Sequence, residues 1–391
     1  MKHIYISILS VIGLAACGAP TSNSILDEAW DQSNNPAKIA GINYEADFSK
    51  LPLKGDADHK GWSDSYWPTY RGGIGYRWQT EKAGFKIEDF KQKTGVRFTT
   101  LSPAEKYDVL LNDNSFPTLE SERVRTLIMK TIPAVDGESN PDYVAGYEIP
   151  GWEGLCHGWA PAALNFQEPT KSVTRKLRNG NSVTFYPADI KALLTYYQQE
   201  PGNRSTRTDF VSQRCNDDFK ALKAQLDAGE ITRAQYNSAR ESSACRDMNA
   251  ASLHILLANE IGVKKTGFVV DVTRDIEVWN QPVNSYRSNV VSESDKASVG
   301  AAPGTVKEVT IRTRMKYSVE VDYNKSTPAN SVAGVVESYA DYEYVLELDG
   351  AGKIIGGRWI SEDRPDFAWR ESTPEFQGHF GLVKSIYEAS Y

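Results

Sequence analysis

Gly151-Trp152-Glu153-Gly154-Leu155-Cys156-His157-Gly158-Trp159-Ala160-Pro161-Ala162-Ala163-Leu164-Asn165-Phe166 is the stretch on which the fold turns. Two glycines closely flank a cysteine, and small helix-forming residues follow. That pattern places a nucleophile at a loop-to-helix junction. Glycines there let a substrate approach the backbone. A helix N-terminus lowers a thiol's pKa and offers N–H donors to an oxyanion. Pro161 is tolerated only in a first helical turn, so the spacing predicts a regular helix from Trp159 or Ala160, with Cys156 just ahead of it. The alternative is a buried cysteine used as a small hydrophobe.

A thiolate needs a base. His157 is adjacent in sequence, and neighbouring side chains on a turn or helix point apart. His59 sits in a polar loop, and His379 lies near the C-terminus. His254 follows Cys156 in the chain, and Asp271 follows His254 in Gly267-Phe268-Val269-Val270-Asp271-Val272-Thr273. Cysteine hydrolases and acyltransferases often run Cys, then His, then Asp or Asn, the last fixing the imidazole tautomer. His254 is therefore expected as the base and Asp271 as its orienting partner, with Asp275 and Asn280 as substitutes for the third role. Otherwise His254 is a helix residue satisfied locally beside Leu253, Leu256 and Leu257, and Asp271 a strand-end charge paired elsewhere.

The N-terminus carries a short basic start and an apolar run, Ile4 to Leu14, too short to span a bilayer as a mature helix. It ends in Leu14-Ala15-Ala16-Cys17, similar to a bacterial lipobox, in which the cysteine is lipidated. Residues 1–16 are expected to be a lipoprotein signal peptide and 17–60 a lipidated tether and lead-in. The membrane is then a partner through Cys17, and the cell envelope the location, the outer membrane in particular because Gly18 follows the cysteine; simple secretion is the alternative. An exported chain meets an oxidising environment, where cysteines pair. Cys215 and Cys245 bracket an expected helical hairpin, Asn216 to Ala228 and Thr232 to Ala244, and are the expected disulfide. Closing that loop is worth roughly 3–4 kcal/mol in the chain-entropy model. Cys156 is then left as a free thiol.

The remaining 61–391 reads as one catalytic domain, with the helical insert at 215–245 and a β-rich part at 265–370. Gly61 to Trp78 packs six aromatics and four glycines together, either as a substrate platform or as a core plug between lobes. Ser102-Pro103 starts a helix reaching Leu111, and Asn249 to Gly262 reads as another. From Val309 the alternation is that of a strand, with Val309, Ile311, Met315, Tyr317, Val319 and Val321 on one face. Tyr342, Tyr344, Leu346 and Leu348 repeat it, and Asp349-Gly350-Ala351-Gly352 turns the chain back as a hairpin. The fold class is α+β. A net charge of −7 without a dense basic cluster argues against nucleic acid as a partner.

Gly154-Leu155-Cys156-His157-Gly158-Trp159-Ala160-Pro161-Ala162 resembles the cysteine motif of the transglutaminase elicitor family, secreted enzymes of oomycetes with relatives in marine bacteria. Val278-Trp279-Asn280-Gln281-Pro282-Val283 is similar to the core of that family's elicitor peptide. Trp62 to Trp78, Gly356-Gly357-Arg358-Trp359 and Pro365-Asp366-Phe367-Ala368-Trp369 also have the family's look. The resemblance implies a papain-like cysteine-enzyme core, with a helical lobe and an antiparallel sheet. It also implies protein-glutamine γ-glutamyltransferase activity on proteins presenting Gln and Lys, with Cys156, His254 and Asp271 as the catalytic set. Trp152, Trp279 and Pro282 are expected at the substrate cleft; no glutamine sits a few residues before Cys156, so a backbone amide or Trp152 is expected to stand in as oxyanion donor. Calcium is implied by the family alone; the sequence shows no cofactor and no calcium-ligand spacing. A cysteine peptidase or amidase on the same core, or a non-catalytic envelope lipoprotein that binds through the cleft, are the competing functions.

Overall fold

The computed structural model describes residues 30–85, 90–91, 94–135, 137–199, 206–240 and 247–391. Cys17 and Cys245 lie outside them; Cys215 is buried and disulfide-bonded.

The large sheet is built from β1 (Lys54–Asp56), β2 (Thr208–Ser212), β3 (Val269–Asp271), β4 (Asn280–Ser294), β5 (Lys307–Ser318), β6 (Glu337–Leu348), β7 (Ile354–Trp359) and β8 (Phe367–Glu371). Their order is β7-β6-β5-β4-β3-β8-β2, with β1 pairing to β4. Every pairing is antiparallel. In β5 the expected alternation holds: Val309, Ile311 and Met315 are buried while Arg312, Arg314 and Lys316 face solvent. On the solvent face Arg312 and Arg314 stand opposite Glu343 and Asp341 and bond them at 2.7 Å. Such exposed cross-strand pairs contribute a few tenths of a kcal/mol each, enough to favour one register. The β6–β7 turn falls at the expected residues, with Gly352 at φ +77°, where a side chain would be strained.

The helices are α1 (Ala37–Ala40), α2 (Pro103–Leu111), α3 (Pro117–Thr126), α4 (Cys156–Asn165), α5 (Pro187–Gln198), α6 (Phe219–Asp227), α7 (Arg233–Arg240), α8 (Ala250–Leu256) and α9 (Gly381–Glu388). Ser102 and Glu105 form a capping box at the start of α2. Helix α8 opens on its Asn249 cap and passes directly into a π-helical turn, Leu257–Val263, so the expected helix to Gly262 is continuous but not uniform. Helix α6 begins later than expected, where Asp218 caps Ala221 N, and the expected end of the hairpin at Ala244 lies outside the described residues.

Two large apolar cores organise the described residues, with a small third cluster at Cys215 and Phe219. The first joins α2, α4, α5 and α9 to Trp62, Trp67 and Trp78, each 1% exposed. The stretch from Gly61 to Trp78 is thus a plug, not a platform. Each of its indoles bonds inward: Trp62 to Phe166 O, Trp67 to Asp64 and Trp78 to Asp189. The second core lies between α8 and the inner face of β4 to β7. Ile39, Leu51 and Ala57 belong to it, and β1 extends the sheet, so the expected boundary at residue 60 divides nothing. From Trp30 onward the lead-in is part of the folded unit.

Candidate active site

Cys156 is the first residue of α4, and this corrects the expectation that the helix starts beyond it. Pro161 sits inside the helix; its missing N–H leaves the His157 carbonyl without its usual intrahelical donor, which a buried, packed helix can absorb. The flanking glycines serve packing, not substrate approach. A Cβ on Gly154 would lie 2.4 Å from Tyr66 O, and one on Gly158 2.4 Å from Thr195 O, where α5 crosses. Leu155 N donates to Tyr66 O at 2.6 Å and Thr69 N to Glu153 O at 2.9 Å, so the tryptophan-rich plug pins the loop that presents the thiol.

The thiol is 5% exposed and opens on a cavity of about 520 Å³, lined among others by Trp152, His157, Val278, Asn280 and Trp369. It donates to Val278 O at 3.5 Å and receives Asn280 Nδ2 at 3.6 Å. Trp369 Nε1 donates to Asn280 Oδ1 at 2.8 Å, which fixes the amide so that its NH2 end faces the sulfur. Burial pushes the thiol up to about 11; the Asn280 contacts pull down, while the charges of Glu320 and Asp271 push up. Desolvation therefore outweighs the helix N-terminus, and the expected lowering is reversed. In the resting site the group is a thiol, not a thiolate.

Asp271, the last residue of β3, pairs directly with Asn280 across the ladder, so the two side chains share one face of the sheet. Its Oδ1 accepts from Thr273 N, Thr273 Oγ1 and Trp279 N at 2.8–3.1 Å. Its Oδ2 is buried and has no partner. Burial raises the carboxyl to about 7, against the pull of those three hydrogen bonds. The segment Val278–Asn280 is thus held between thiol and carboxylate: one carbonyl on the sulfur, one amide on Asp271, one side chain back on the sulfur.

His254 is not part of this arrangement. It is fully buried in the second core, its ring against Phe48 and Tyr344, and it does not line the cavity. Its Nδ1 lies 2.8 Å from the Tyr344 hydroxyl, which continues to Thr313 and Ser288. Burial alone lowers it to about 4. The helical periodicity of Leu253, Leu256 and Leu257, which places His254 on a core face, was the signal against it. Pro282 is buried in the β3–β4 ladder opposite Val269, packed against Gly61, and is no cleft residue. Trp152 lines the cavity. Trp279, expected at the cleft, does not line the cavity: its ring packs tilted on Tyr66 at 5.7 Å with Nε1 on Glu277, and its backbone N–H goes to Asp271. Asp275 bonds Glu277 N on the loop surface. Trp369 and Val278 are the site residues that chain-order reasoning passed over; they sit in two quoted motifs, but nothing local to either marks it as meeting Cys156. Among the described residues no group of three or more His, Cys, Asp or Glu side chains could hold a metal ion. No step below runs through the calcium that the resemblance implies.

The crystal structure of the GP42 transglutaminase from Phytophthora sojae superposes with a TM-score of 0.63 at 24% identity, covering 93% of this chain and 99% of that one, so the two share a fold. No curated protein matches. The sequence profile described as Transglutaminase elicitor matches residues 37–378, and the chain belongs to that family.

Proposed function

We propose that the chain is a protein-glutamine γ-glutamyltransferase working through a thioester on Cys156, on a papain-like arrangement of a helix-borne thiol against an antiparallel sheet. The observation that carries this is the free thiol at the head of α4, opening on a cavity with the Asn280 amide fixed towards it. Asp271 takes the place expected of His254. Its unpartnered oxygen can accept the thiol proton, at a cost of roughly 5 kcal/mol given values of about 11 and about 7. That is well inside the barrier of about 16 kcal/mol for turnover at about ten per second. The thiolate attacks the glutamine carboxamide carbon, and the C–N bond breaks as Asp271 returns the proton to the departing ammonia. A lysine amine then attacks the thioester, gives its proton to Asp271 and expels the thiolate, leaving an isopeptide. Asn280 Nδ2 and the first amides of α4 are the donors for the oxyanion.

The family membership supports acyl transfer; hydrolysis by a peptidase or amidase needs the same thiol. Incorporation of a fluorescent primary amine into casein separates them. Incorporation lost in Cys156→Ala and in Asp271→Asn supports the reading. Ammonia release or cleavage without incorporation makes the protein a hydrolase. Loss in His157→Ala with Asp271→Asn active moves the base to His157, which lines the cavity. Neither activity from protein whose Cys156 resists iodoacetamide makes the cleft a binding site. The lipid anchor at Cys17 belongs to the same proposal, and recovery in membranes that Cys17→Ser abolishes is its test.

A further inference from the structure

Arg214 lines the thiol cavity, yet it has no part in the mechanism above. The chain on either side of it is fixed. Ser212, the last residue of β2, stands at φ +73°, a left-handed conformation uncommon for a residue with a side chain, and its N–H donates to Ser33 O at 2.8 Å. Cys215 is buried and disulfide-bonded, with its N–H on Asp366 Oδ2 at 2.6 Å. Between these anchors the exposed Arg214 side chain crosses to the β3–β4 loop, where one guanidinium nitrogen donates to Ile276 O at 2.9 Å. Val278 O, two residues further on, takes the Cys156 thiol at 3.5 Å. Two residues span at most about 7 Å, so that nitrogen stands within about 13 Å of the sulfur.

The other charges on the cavity are answered. Arg125 bonds Glu122 at 2.6 Å and feels the charge of Glu153, and Glu371 accepts from Gln198 Nε2 at 2.8 Å. Arg214 meets no carboxylate among the described residues, and its one bond to a carbonyl leaves most of its N–H donors unused. Phe210, on the same cavity, stays 44% exposed although its ring stacks parallel to Trp369 at 5.4 Å. We propose that Arg214 selects the acyl donor by binding a carboxylate carried close to the reacting carboxamide, with the adjoining part of the substrate chain lying on Phe210. This rests on the proposed transfer from glutamine. A planar guanidinium with free donors matches a carboxylate in two-point geometry. The span fits as well: a glutamine side chain, one residue of extended chain (about 3.3–3.6 Å) and an Asp or Glu side chain together cover the distance from thiol to Arg214. Two sources offer this chemistry, an acidic residue next to the glutamine and the α-carboxylate of a terminal glutamine.

Peptides with one glutamine flanked on both sides by Asp, Asn or Lys are compared as acyl donors for a fluorescent primary amine. The native protein should use the Asp peptide about fivefold better than the Asn peptide in kcat/KM, with the gain in KM and fading in about 0.5 M salt. Arg214→Gln should bring that ratio to about one. Arg214→Glu should turn the preference to the Lys peptide, which the mere loss of a tether on Ile276 O would not do. N-acetylglutamine against N-acetylglutaminamide reads the second source: a preference for the acid that vanishes in Arg214→Gln supports the site and assigns it to a terminal glutamine. If neither pair shows a preference, or the preference is unchanged in Arg214→Gln, the proposal is overturned. Should no donor be turned over, fluorescence anisotropy of the labelled peptides on Cys156→Ala reads the same ratio. Tighter binding of the Asp peptide, lost when Arg214→Gln is added, keeps the carboxylate site and puts the failure on acyl transfer. Equal binding of the Asp and Asn peptides there overturns this proposal as well.

Discussion

Cys156 and His254 are both buried and both on helices, yet only one is at a site. Cys156 heads its helix, so its side chain leaves the packed lobe and opens on a cavity between α4, the β3–β4 loop and β8. His254 sits five residues into α8, facing the sheet, where Tyr344 takes one ring nitrogen and nothing takes the other. Burial alone does not make a titratable group functional. What distinguishes the cysteine is a cavity together with groups from separate strands that converge on it.

The comparison breaks most directly through substitution of each member. Cys156→Ala should lower amine incorporation by at least about a thousandfold without changing the melting temperature much, since a nucleophile has no substitute. His254→Gln, measured per folded molecule, should stay within a factor of about three of the native protein. A His254→Gln variant that is folded and inactive would overturn the assignment of Asp271 and restore the histidine.

The same contrast has a pH signature. His254 ionises at about 4 when folded and at about 6.5 when unfolded, because the charged ring cannot be hydrated in the core. Below about 6.5 the unfolded chain takes up a proton that the folded one refuses. Stability present above that value is lost as the pH falls towards 4, by about 3 kcal/mol in total. Asp271 and Asp366, raised by burial, act in the opposite sense, so the histidine is isolated by difference: His254→Gln should lose about 3 kcal/mol less than the native protein between pH 7 and pH 4. Urea unfolding at the two pH values reads this directly, and parallel losses in both proteins would show that the ring is solvated in the folded state.

How much of this the sequence discloses follows from the range over which each interaction acts. The strand alternation after Val309, the Asp349–Gly352 turn and the Ser102 cap are local, and each stands where the residues place it. Cys156 is legible because glycine, cysteine and the following small residues are contiguous. The partner of the thiol is not, because it depends on register: Asn280 faces Cys156 only because β3 and β4 pair Asp271 with Asn280. Chain order supplied a histidine, and periodicity around that histidine already placed it in a core. The thiol's ionisation was misjudged for a similar reason. A helix N-terminus can be read from sequence, whereas the desolvation that outweighs it comes from segments far along the chain that pack round the sulfur.

The smallest effects sharpen the comparison most, because they test convergence and not the nucleophile itself. Asn280→Ala removes the side-chain donor aimed at the sulfur and should cost about a hundredfold in kcat, with KM nearly unchanged if the amide acts on the oxyanion. Trp369→Phe keeps the ring stacked on Phe210 at 5.4 Å but deletes the bond that orients that amide. An amide that still rotates into place part of the time should cost only about tenfold, and Trp369→Phe in the Asn280→Ala background should cost nothing more. Additive losses would mean that Trp369 shapes the cavity wall independently. A null coupling partner at His254 then completes the contrast: His254→Gln should add to either variant without interaction, because its core shares no contact with the thiol.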